Sequence, residues 1–356
     1  MKNPDFDIID DNFADDEVPE QERFEHSHYT VDKGQTPIRI DKYLSGVMPN
    51  TSRNRIQEAA DAESVLVNGK PVKSNYRVKP LDEISIVLDY PKTDYTIVAQ
   101  DIPIDVVYED DDLIVVNKQP GLVVHPGFGN ADGTLLNAIA WHLRDNPHFD
   151  ANDPRIGLVH RIDKDTSGLL LIAKNEEAKT KLGQQFFNKT TERTYNALVW
   201  GVVKADEGTI DGALGRDPRD RTSFAVLPDD NPNAKHAVTH YKVLERFAYA
   251  TLVQCRLETG RTHQIRVHMK HIGHTLFNDA HYGGNEVLKG VRTAKYKQFV
   301  QNCFAVCPRQ ALHAKTLGFV HPSTGLWMQF DSELPADMQA LLEKWRRYTP
   351  ALSDDE

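Results

Sequence analysis

Hydrophobic positions near the N-terminus follow the spacing of two short helices. Apolar side chains recur every three to four residues over 39–47, which predicts an amphipathic helix with one buried face. Thr51 and Ser52 precede the next such stretch, and both residue types favour the position just before a helix. A second helix is therefore predicted from there to Ala60.

The pattern of a β-hairpin comes next. Apolar residues at 65–67 lead into an Asn-Gly pair at 68–69, a strong signal for a two-residue turn between antiparallel strands. The return strand is expected to begin at Val72, and alternation over 83–88 predicts a further strand. Together with the two helices, these strands indicate a small α/β unit.

The rest of the chain has many short apolar runs separated by loops. We predict strands over 104–108, 113–117, 169–173, 195–199, 237–244, 251–257, 317–320 and 326–330. Helical spacing is found over 134–143, 176–187, 265–272 and 295–303. Because the strands outnumber the helices and mostly follow one another, the expected fold class is α+β with a mixed, mostly antiparallel sheet.

Charge is distributed unevenly along the 356 residues, whose net charge is −10. Residues 1–28 contain ten acidic and two basic residues, and the last six residues contain three acids, so the body at 29–350 is nearly neutral. We expect a disordered, solvating N-terminal tail, the alternative being an acidic mimic of nucleic acid. The chain is therefore predicted to consist of an acidic tail at 1–28, a small domain at 29–90, a linker at 91–101, a large domain at 102–348 and an acidic C-terminal tail at 349–356.

Cysteine usage and hydropathy indicate where in the cell the protein is expected to be found. The three cysteines include no Cys-x-x-Cys pair, so neither a disulfide framework nor a zinc knuckle is predicted. A secretory signal and a membrane-spanning apolar run are both missing from the sequence. We expect a cytoplasmic monomer without a membrane partner.

Charged residues interrupt the apolar runs at one place in the large domain. A strand-like stretch at 157–159 leads into His-Arg-Ile-Asp-Lys-Asp-Thr-Ser-Gly at 160–168, and an apolar run follows. This predicts a tight connection at the rim of a sheet, with the cation Arg161 beside the carboxylate Asp163. Taken alone, Asp163 is better explained as a turn former, which is how we interpret Asp165.

Further motifs accompany this run. They are Ile-Val-Val-Asn-Lys-Gln-Pro-Gly at 114–121 with His-Pro-Gly at 125–127, Glu-Arg-Thr-Tyr-Asn-Ala at 192–197, Thr-Gly-Arg-Thr-His-Gln-Ile-Arg-Val-His at 259–268, and Gln-Ala-Leu-His-Ala at 310–314. Together with the run at 160–168, they resemble the pseudouridine synthases of the RluA/RluD type over nearly the whole chain after the tail. Ile162 stands where that family more often has leucine. The resemblance implies isomerisation of uridine in RNA without a cofactor.

The resemblance also assigns roles to individual residues. Asp163 would be the essential aspartate, either attacking the sugar or removing a proton from ribose C2′. Arg266 would hold this carboxylate ionised, while Tyr195 and Leu312 would enclose the two faces of the uracil. Arg161 would enter the base stack when the target nucleotide is turned out.

His160 in the run at 160–168 and Arg261 in the motif at 259–268 are also predicted to contact the substrate. The implied substrate is large-subunit rRNA, either free or in an assembling subunit. Without the resemblance, each assigned residue also fits an ordinary structural position: Tyr195 in a half-buried strand, Leu312 in the core and Arg266 on a helix surface.

The small domain resembles the S4 RNA-binding domain. The resemblance rests on Arg-Ile-Asp-Lys-Tyr-Leu at 39–44, Thr-Ser-Arg at 51–53 and Val-Leu-Val-Asn-Gly-Lys at 65–70. Cations and a hydroxyl near the two helix starts would contact RNA phosphates, and a merely solvated charged face is the alternative. The predicted RNA-binding residues are Arg39, Lys42, Ser52, Arg53 and Arg55.

Two other functions are compatible with parts of the sequence. An RNA-binding factor for ribosome assembly would need the S4-like domain but not the catalytic residues. Histidines at 263, 268, 271 and 274 invite a metal-dependent hydrolase, although no acid within that run completes a set of ligands, and we predict no metal. The lysine-containing segment 285–309 matches no motif and is interpreted as a substrate-contacting insertion or a solvated helix.

Overall fold

The computed structural model describes residues 24–48, 51, 53–88, 97–127, 129–146, 157–220 and 222–349. These residues form two compact units, at 24–88 and 97–349. In the described part of the chain, no helix combines the length and the apolar character needed to cross a bilayer.

The smaller unit combines two helices with a four-stranded antiparallel sheet in the order β1-β4-β2-β3. Its elements are β1 (Phe24–Thr30), α1 (Ile40–Val47), α2 (Arg53–Asp61), β2 (Val65–Val67), β3 (Lys70–Pro71) and β4 (Glu83–Leu88). Asn68 and Gly69 both have positive φ, 49° and 76°, as a tight two-residue hairpin turn requires. The return strand begins at Lys70, directly after this turn, and the expected start at Val72 is wrong.

Strand β1 corrects the predicted boundary of the acidic tail. The expected tail at 1–28 includes residues that pair with β4, from Phe24 opposite Leu88 to Thr30 opposite Glu83. Backbone hydrogen bonds to this partner order a segment whose own composition favours disorder, so the domain begins at 24 rather than 29. The rest of the predicted tail lies outside the described residues.

The larger unit contains all eight strands and all four helices predicted for it. Its elements are β5 (Val106–Glu109), β6 (Leu113–Lys118), α3 (Leu135–His142), β7 (Ser167–Ala173), α4 (Glu176–Phe187), β8 (Glu192–Trp200), β9 (Glu207–Asp211), β10 (Leu214–Arg216), β11 (Phe224–Val226), β12 (Val238–Arg246), β13 (Ala250–Leu257), α5 (Gln264–His271), α6 (Ala294–Val306), β14 (Leu312–Val320), β15 (Trp327–Asp331) and α7 (Ala336–Tyr348). Strands β9 to β11 and helix α7 were not predicted.

The described part of this unit forms one nine-stranded sheet in the order β5-β6-β7-β14-β8-β13-β12-β9, with β15 added to β14. Only β7 and β14 pair in parallel, whereas the other neighbours are antiparallel. The predicted α+β class with a mixed, mostly antiparallel sheet is therefore confirmed. A separate pair, β10 and β11, lies outside this sheet.

The continuous apolar run of β7 is explained by burial on both faces. Leu170 and Ile172 belong to a core that includes residues of α3 and α5, whereas Leu169 and Leu171 pack into a second core with α4. A strand covered on both sides has no solvent face, so polar residues do not alternate along it. This buried strand is the rigid base that follows the charged run at 160–168.

Residues before β7 differ from the expectation of a strand at 157–159. Only Leu158 forms a bridge, to Ile172, and the charged run is therefore preceded by irregular chain rather than by a strand. The predicted linker is also shorter than expected, because Ile97 is buried in the core and the backbone N–H of Gln100 donates a hydrogen bond to the carbonyl oxygen of Asn137 on α3. The remainder of the linker, 91–96, lies outside the described residues.

Helix α6 settles how the segment 285–309 is used in the fold. Tyr296, Val300 and Cys303 are buried against Trp345 of α7 in a third core. Lys295 and Lys297 on this helix are exposed, as is Lys289 before it. The helix is thus not fully solvated, because one of its faces closes the core, whereas a contact of this segment with the substrate stays a prediction.

Candidate active site

The charged run at 160–168 enters the sheet where two parallel strands begin side by side. Ser167 lies opposite His313 and Gly168 lies opposite Ala314 in the register of β7 and β14. Gly168 has φ 112°, and a Cβ there would lie 2.2 Å from the carbonyl oxygen of Ala314. Only glycine permits this close pairing, which brings the residues before β7 and those that begin β14 to one edge.

Asp163 lies on this edge and is paired with a buried guanidinium. Its Oδ2 accepts a hydrogen bond from Nη1 of Arg266 at 3.0 Å. The same guanidinium donates from Nε and Nη2 to the two carboxylate oxygens of Asp279, at 2.8 and 3.0 Å. Asp163 retains 19% side-chain exposure, whereas Asp279 retains 1%. Arg266 therefore connects one accessible carboxylate to one fully buried carboxylate.

The electrostatic surroundings keep Asp163 ionised. Burial alone would raise the pKa of Asp163, but the nearby His263 and Arg266, the hydrogen bond from Arg266 and the charge of Arg161 outweigh it, and the pKa is lowered. Burial opposes the charge of Arg266 as well, yet Asp279 and Asp163 raise its pKa above the usual value. An ionised carboxylate and a permanent cation thus face each other at neutral pH.

Asp279 was missed by sequence reasoning, although it makes the larger number of contacts to Arg266. It stands alone in the run Leu-Phe-Asn-Asp-Ala-His-Tyr at 276–282, which resembles no motif used above. The ring of Tyr282 lies 4.9 Å below the guanidinium carbon of Arg266, and its hydroxyl is 2.8 Å from Nδ1 of His263. The arginine is therefore fixed on its polar edge and on its flat face.

A cavity of about 370 Å³ opens above this pair. All seven residues predicted to act in catalysis or substrate binding contribute to its walls. They are His160, Arg161, Asp163, Tyr195, Arg261, Arg266 and Leu312. Residues from four separate parts of the sequence thus meet at one concave site, as expected of a ligand pocket.

Tyr195 and Leu312 form the apolar part of the cavity wall. They retain 6% and 4% exposure and belong to the same core. Tyr195 lies on β8 opposite Ala314, and Leu312 lies opposite Ala197 of the same strand pair. Burial, with a smaller contribution from the Asp163 charge, raises the pKa of Tyr195, so the ring is a neutral phenol at physiological pH.

The remaining predicted substrate contacts are His160, Arg161 and Arg261, and they differ in exposure and in the partners of their polar atoms. Nε2 of His160 accepts the backbone N–H of Leu171 at 2.9 Å, and its ring stacks on Phe186. Burial lowers the pKa of His160 to about 3, so this ring is neutral and mainly anchors the loop. Arg161 and Arg261 are partly exposed on the cavity wall, and Arg261 Nε donates to the carbonyl of His236 at 3.3 Å.

A buried lysine supports the loop from below. Nζ of Lys118 donates to the carbonyl oxygens of Lys164, Leu122 and Gln119 at 2.7, 2.8 and 3.0 Å. Burial lowers the pKa of Lys118 to about 7, although Asp163 nearby favours its charged form. This ammonium group connects the end of β6 to the turn that carries Asp163.

Arg309 supports the same turn from the other side. Its Nη1 donates to the carbonyl of Asp165 at 2.9 Å and to that of Leu312 at 3.1 Å. Its Nε and Nη2 pair with the carboxylate of Asp337 on α7 at 2.7 and 3.0 Å. Sequence reasoning missed both Lys118 and Arg309, since neither has a local signal that identifies its distant partners.

Two of the histidines considered for a metal, His268 and His274, have separate structural partners. His268 is within hydrogen-bond distance of Thr239 and of the carbonyl of Gly212 through its two ring nitrogens. Nδ1 of His274 lies 2.8 Å from the carbonyl of Trp200. A ring nitrogen that faces a carbonyl carries the proton and offers no lone pair to a metal.

Another cluster brings three possible ligand atoms within 4.8 Å, from Asp110, Asp112 and His321. Nδ1 of His321 accepts the backbone N–H groups of Ser323 and Thr324 at 3.2 and 3.1 Å. Nε2 therefore carries the proton and donates it to Asp110 at 2.8 Å. This arrangement is a hydrogen bond from a neutral imidazole to a carboxylate, and it holds the turn after β14.

In the smaller unit, two predicted RNA-binding arginines share one buried acid. Arg39 donates from Nε and Nη2 to the carboxylate of Asp41, and Arg53 Nη2 lies 3.1 Å from the same group. Asp41 is fully buried and its pKa is strongly lowered by these partners. The arginines are thereby oriented, while 43% and 49% of their side chains remain exposed.

The other predicted cations of this unit, Lys42 and Arg55, are exposed on the two helices. Together with the two oriented arginines, they are the cations predicted to form an RNA-binding surface. Ser52 lies outside the described residues. The RNA-binding role of this surface stays a prediction.

Both units of the chain are similar to known proteins. Residues 112–271 match the RNA pseudouridylate synthase family and residues 38–84 match the S4 domain. The chain is 48% identical over 317 residues to an uncharacterized RNA pseudouridine synthase of Chlorobaculum parvum, covering 89% of this chain and 96% of that protein. It is 42% identical over 319 residues to the ribosomal large subunit pseudouridine synthase D of Escherichia coli K12, covering 89% and 93%.

A solved structure shows the fold independently. The human RNA pseudouridylate synthase domain containing 4 aligns with a TM-score of 0.52 at 21% identity, covering 68% of this chain and 93% of that one. The fold and the close relatives define an RNA-modifying isomerase. The chain belongs to the RNA pseudouridine synthase family, in the group that carries an S4 domain before the catalytic domain.

Proposed function

We propose that this chain converts particular uridines of large-subunit rRNA to pseudouridine, with Asp163 as the essential carboxylate. The observation that carries the proposal is the pairing of Asp163 with Arg266, which Asp279 holds from behind, at the base of a cavity that also contains Tyr195 and Leu312. The substrate class is supported by relatives named ribosomal large subunit pseudouridine synthase D.

The reaction makes a limited set of demands on the protein. The bond between uracil N1 and ribose C1′ breaks, the base turns, and a bond forms between C5 and C1′. The proton on C5 is lost and N1 gains one, so atoms balance without oxidation or a transferred group. The site must therefore supply an anion at the sugar and a route for the C5 proton.

Asp163 supplies the anion. Its carboxylate is ionised because its pKa is lowered, and its partial exposure leaves one side open to the cavity. Attack on the sugar carbon and removal of the C2′ proton both require this ionised oxygen close to the ribose. Arg266 orients the carboxylate and disperses charge as the glycosidic bond breaks.

Tyr195 and Leu312 provide surfaces for the uracil. Both side chains line the cavity, and Tyr195 presents an uncharged aromatic ring suited to stacking on a base. Tyr195 would also assist departure of the C5 proton. Because the base must leave its helix to reach this cavity, Arg161 at the cavity wall is suited to fill the vacated stack.

RNA binding is divided between two surfaces in this proposal. The S4 unit contributes oriented arginines and exposed cations, which fit phosphate contacts that do not depend on the target base. The cavity of the larger unit then selects the uridine. A chain that only binds RNA would not need the buried Arg266–Asp279 pair behind an exposed carboxylate.

The test is a map of pseudouridine in rRNA from a strain that lacks this gene, complemented with single variants. We expect wild type to restore pseudouridine at the missing positions and Asp163→Asn to restore none. Asp165→Asn is the matched control, since it removes a carboxylate from the same turn while its carbonyl contact to Arg309 is retained. Normal pseudouridine with Asp163→Asn as the only copy would refute the proposal.

A further inference from the structure

One cation in the cavity wall lacks the partner that buried charges normally have. Arg193 on β8 is 8% exposed, yet its side chain forms no hydrogen bond and no ion pair with any residue that the structure describes. Its Nε is completely buried and unpartnered. Its guanidinium carbon lies over the ring of Phe186, 5.2 Å from the ring centre.

The guanidinium of Arg193 faces the cavity. Arg193 precedes Tyr195 by two residues on β8, so both side chains project from the same face of the sheet. Both line the cavity, as does Gly260 from the loop before α5. A Cβ on Gly260 would lie 2.9 Å from Nη1 of Arg193, so this glycine leaves the space that the guanidinium occupies.

An unpaired buried cation is energetically unfavourable. Burial lowers the pKa of Arg193, which reflects the cost of holding the charge away from water. The two acids of the cavity are already engaged, because Asp163 pairs with Arg266 and Glu258 pairs with His240. A group that comes with the substrate can supply the missing negative charge.

The substrate offers one kind of anion. Uracil and ribose are neutral, whereas the two phosphates that flank a nucleotide are each negatively charged. Arginine binds phosphate through two parallel hydrogen bonds, and the free Nη side of Arg193 is suited to that geometry. A carbonyl oxygen of uracil would accept a hydrogen bond but would leave the charge uncompensated.

We propose that Arg193 binds a phosphate that flanks the target uridine and so fixes the position of the ribose above Asp163. This inference rests on the proposed function, because it assumes an RNA nucleotide in the cavity. It assigns to Arg193 a substrate-binding role that is distinct from the base contacts of Tyr195 and from the stack-filling role of Arg161. It also gives Gly260 a role, as the residue that keeps the phosphate site open.

The test combines variants of the protein with neutralised phosphates in the RNA. Binding of the full chain is measured on an rRNA fragment with one methylphosphonate, placed on either side of the target uridine. We expect wild type to lose about tenfold or more in affinity at one of the two positions. Arg193→Met should bind the unmodified RNA with a similar loss and should show no further loss when that phosphate is neutralised.

Salt dependence gives a second readout that a purely structural role would not change. Removal of one phosphate contact to a single strand should reduce the slope of log affinity against log salt by about 0.7. Arg193→Lys keeps the charge and should restore most of the slope, though not the full affinity. Arg347→Met removes an exposed arginine far along the chain on α7 and serves as the control with an unchanged slope.

A third variant distinguishes a loss of phosphate binding from a folding defect. Gly260→Ala keeps Arg193, but the new methyl group displaces Nη1 of its guanidinium. We therefore expect the RNA affinity of this variant to depend less on the charge of the same phosphate. Equal methylphosphonate losses in wild type, Arg193→Met and Gly260→Ala, with unchanged salt slopes, would overturn the inference. If wild type binds as expected but forms no pseudouridine in the fragment, the proposed function fails while the assignment of Arg193 stands.

Discussion

Replacement of Asp279 by asparagine tests whether the site depends on the buried carboxylate behind Arg266. The change keeps the size of the side chain but removes its charge and directs an amide NH₂ towards one nitrogen of the guanidinium. Two hydrogen bonds, at 2.8 and 3.0 Å, are altered in a place where both partners are almost fully buried. Removal of one partner from such a pair typically costs 3–5 kcal/mol.

That cost translates into two measurable effects. A loss of about 4 kcal/mol should lower the melting temperature of the larger unit by about 10 °C, given its size. Arg266 would also be held only by Asp163 and the ring of Tyr282, so the orientation of the catalytic carboxylate would loosen. Misplacement of about 1 Å can cost a hundredfold in rate, so we expect kcat to fall by about that factor.

A matched control is available on the surface. Arg346 makes a two-pronged contact with Glu245, at 3.0 and 2.8 Å, but 43% and 34% of the two side chains are exposed. Glu245→Gln should cost at most about 1 kcal/mol and leave kcat unchanged. Both variants are assayed by thermal melting and by single-turnover pseudouridine formation. If Asp279→Asn behaved like Glu245→Gln in both assays, the reasoning about the buried pair would be wrong.

Three further predictions follow from the same structure. Because the pKa of Asp163 is lowered, its ion pair contributes stability above the unfolded value near 4 and loses it as the pH falls through the lower folded value. Single-turnover rates should therefore stay level from about pH 6, where Lys118 with its pKa of about 7 is charged, down to about pH 5, and a fall in rate between these two values would contradict this. Lys42→Glu should weaken RNA binding and reduce its salt dependence, while turnover of a saturating short substrate is unchanged; Lys73→Glu, outside the predicted surface, is the control, and equal losses would argue against a separate binding surface. Deletion of residues 1–30 should lower the melting temperature of the smaller unit because β4 loses its partner β1, whereas deletion of 1–23 should not; identical melting curves would refute this.

Lys42 is preferred to Arg53 for the binding test because of what lies next to Arg53. A glutamate at 53 would place a second carboxylate against Asp41, which is fully buried. Any loss of RNA affinity would then include a loss of stability in the small unit. The exposed Lys42 avoids this confusion.

Elements with strong local signals were predictable, and two examples show why. The hairpin turn at 68–69 depends on residues that tolerate positive φ, which is a property of the turn itself. Strand β7 was recognisable because its apolar run cannot remain in water, whichever element covers it. The motif residues Asp163 and Arg266 could be paired in advance only because the family resemblance connects them across more than a hundred positions.

Other features depend on partners that no local pattern identifies. Strand β1 is mostly polar, and its strand partner in the described part of the chain is β4. Asp279 looks like an ordinary loop acid until the fold places it against the guanidinium of Arg266. Arg193 looks like an exposed strand residue, and its burial without a partner becomes visible only when β8 and the loop at Gly260 are together.

The sequence by itself determined the helices and strands with clear periodicity, the order of the two domains and the chemical groups available for catalysis. Tertiary structure decided which charges are paired, which remain accessible and which lack a partner. The physical reason is that backbone preference and hydrophobic periodicity act over a few residues, whereas the energy of a charge is set by every atom packed around it. For Asp163, Asp279 and Arg193, those surroundings come from distant parts of the chain.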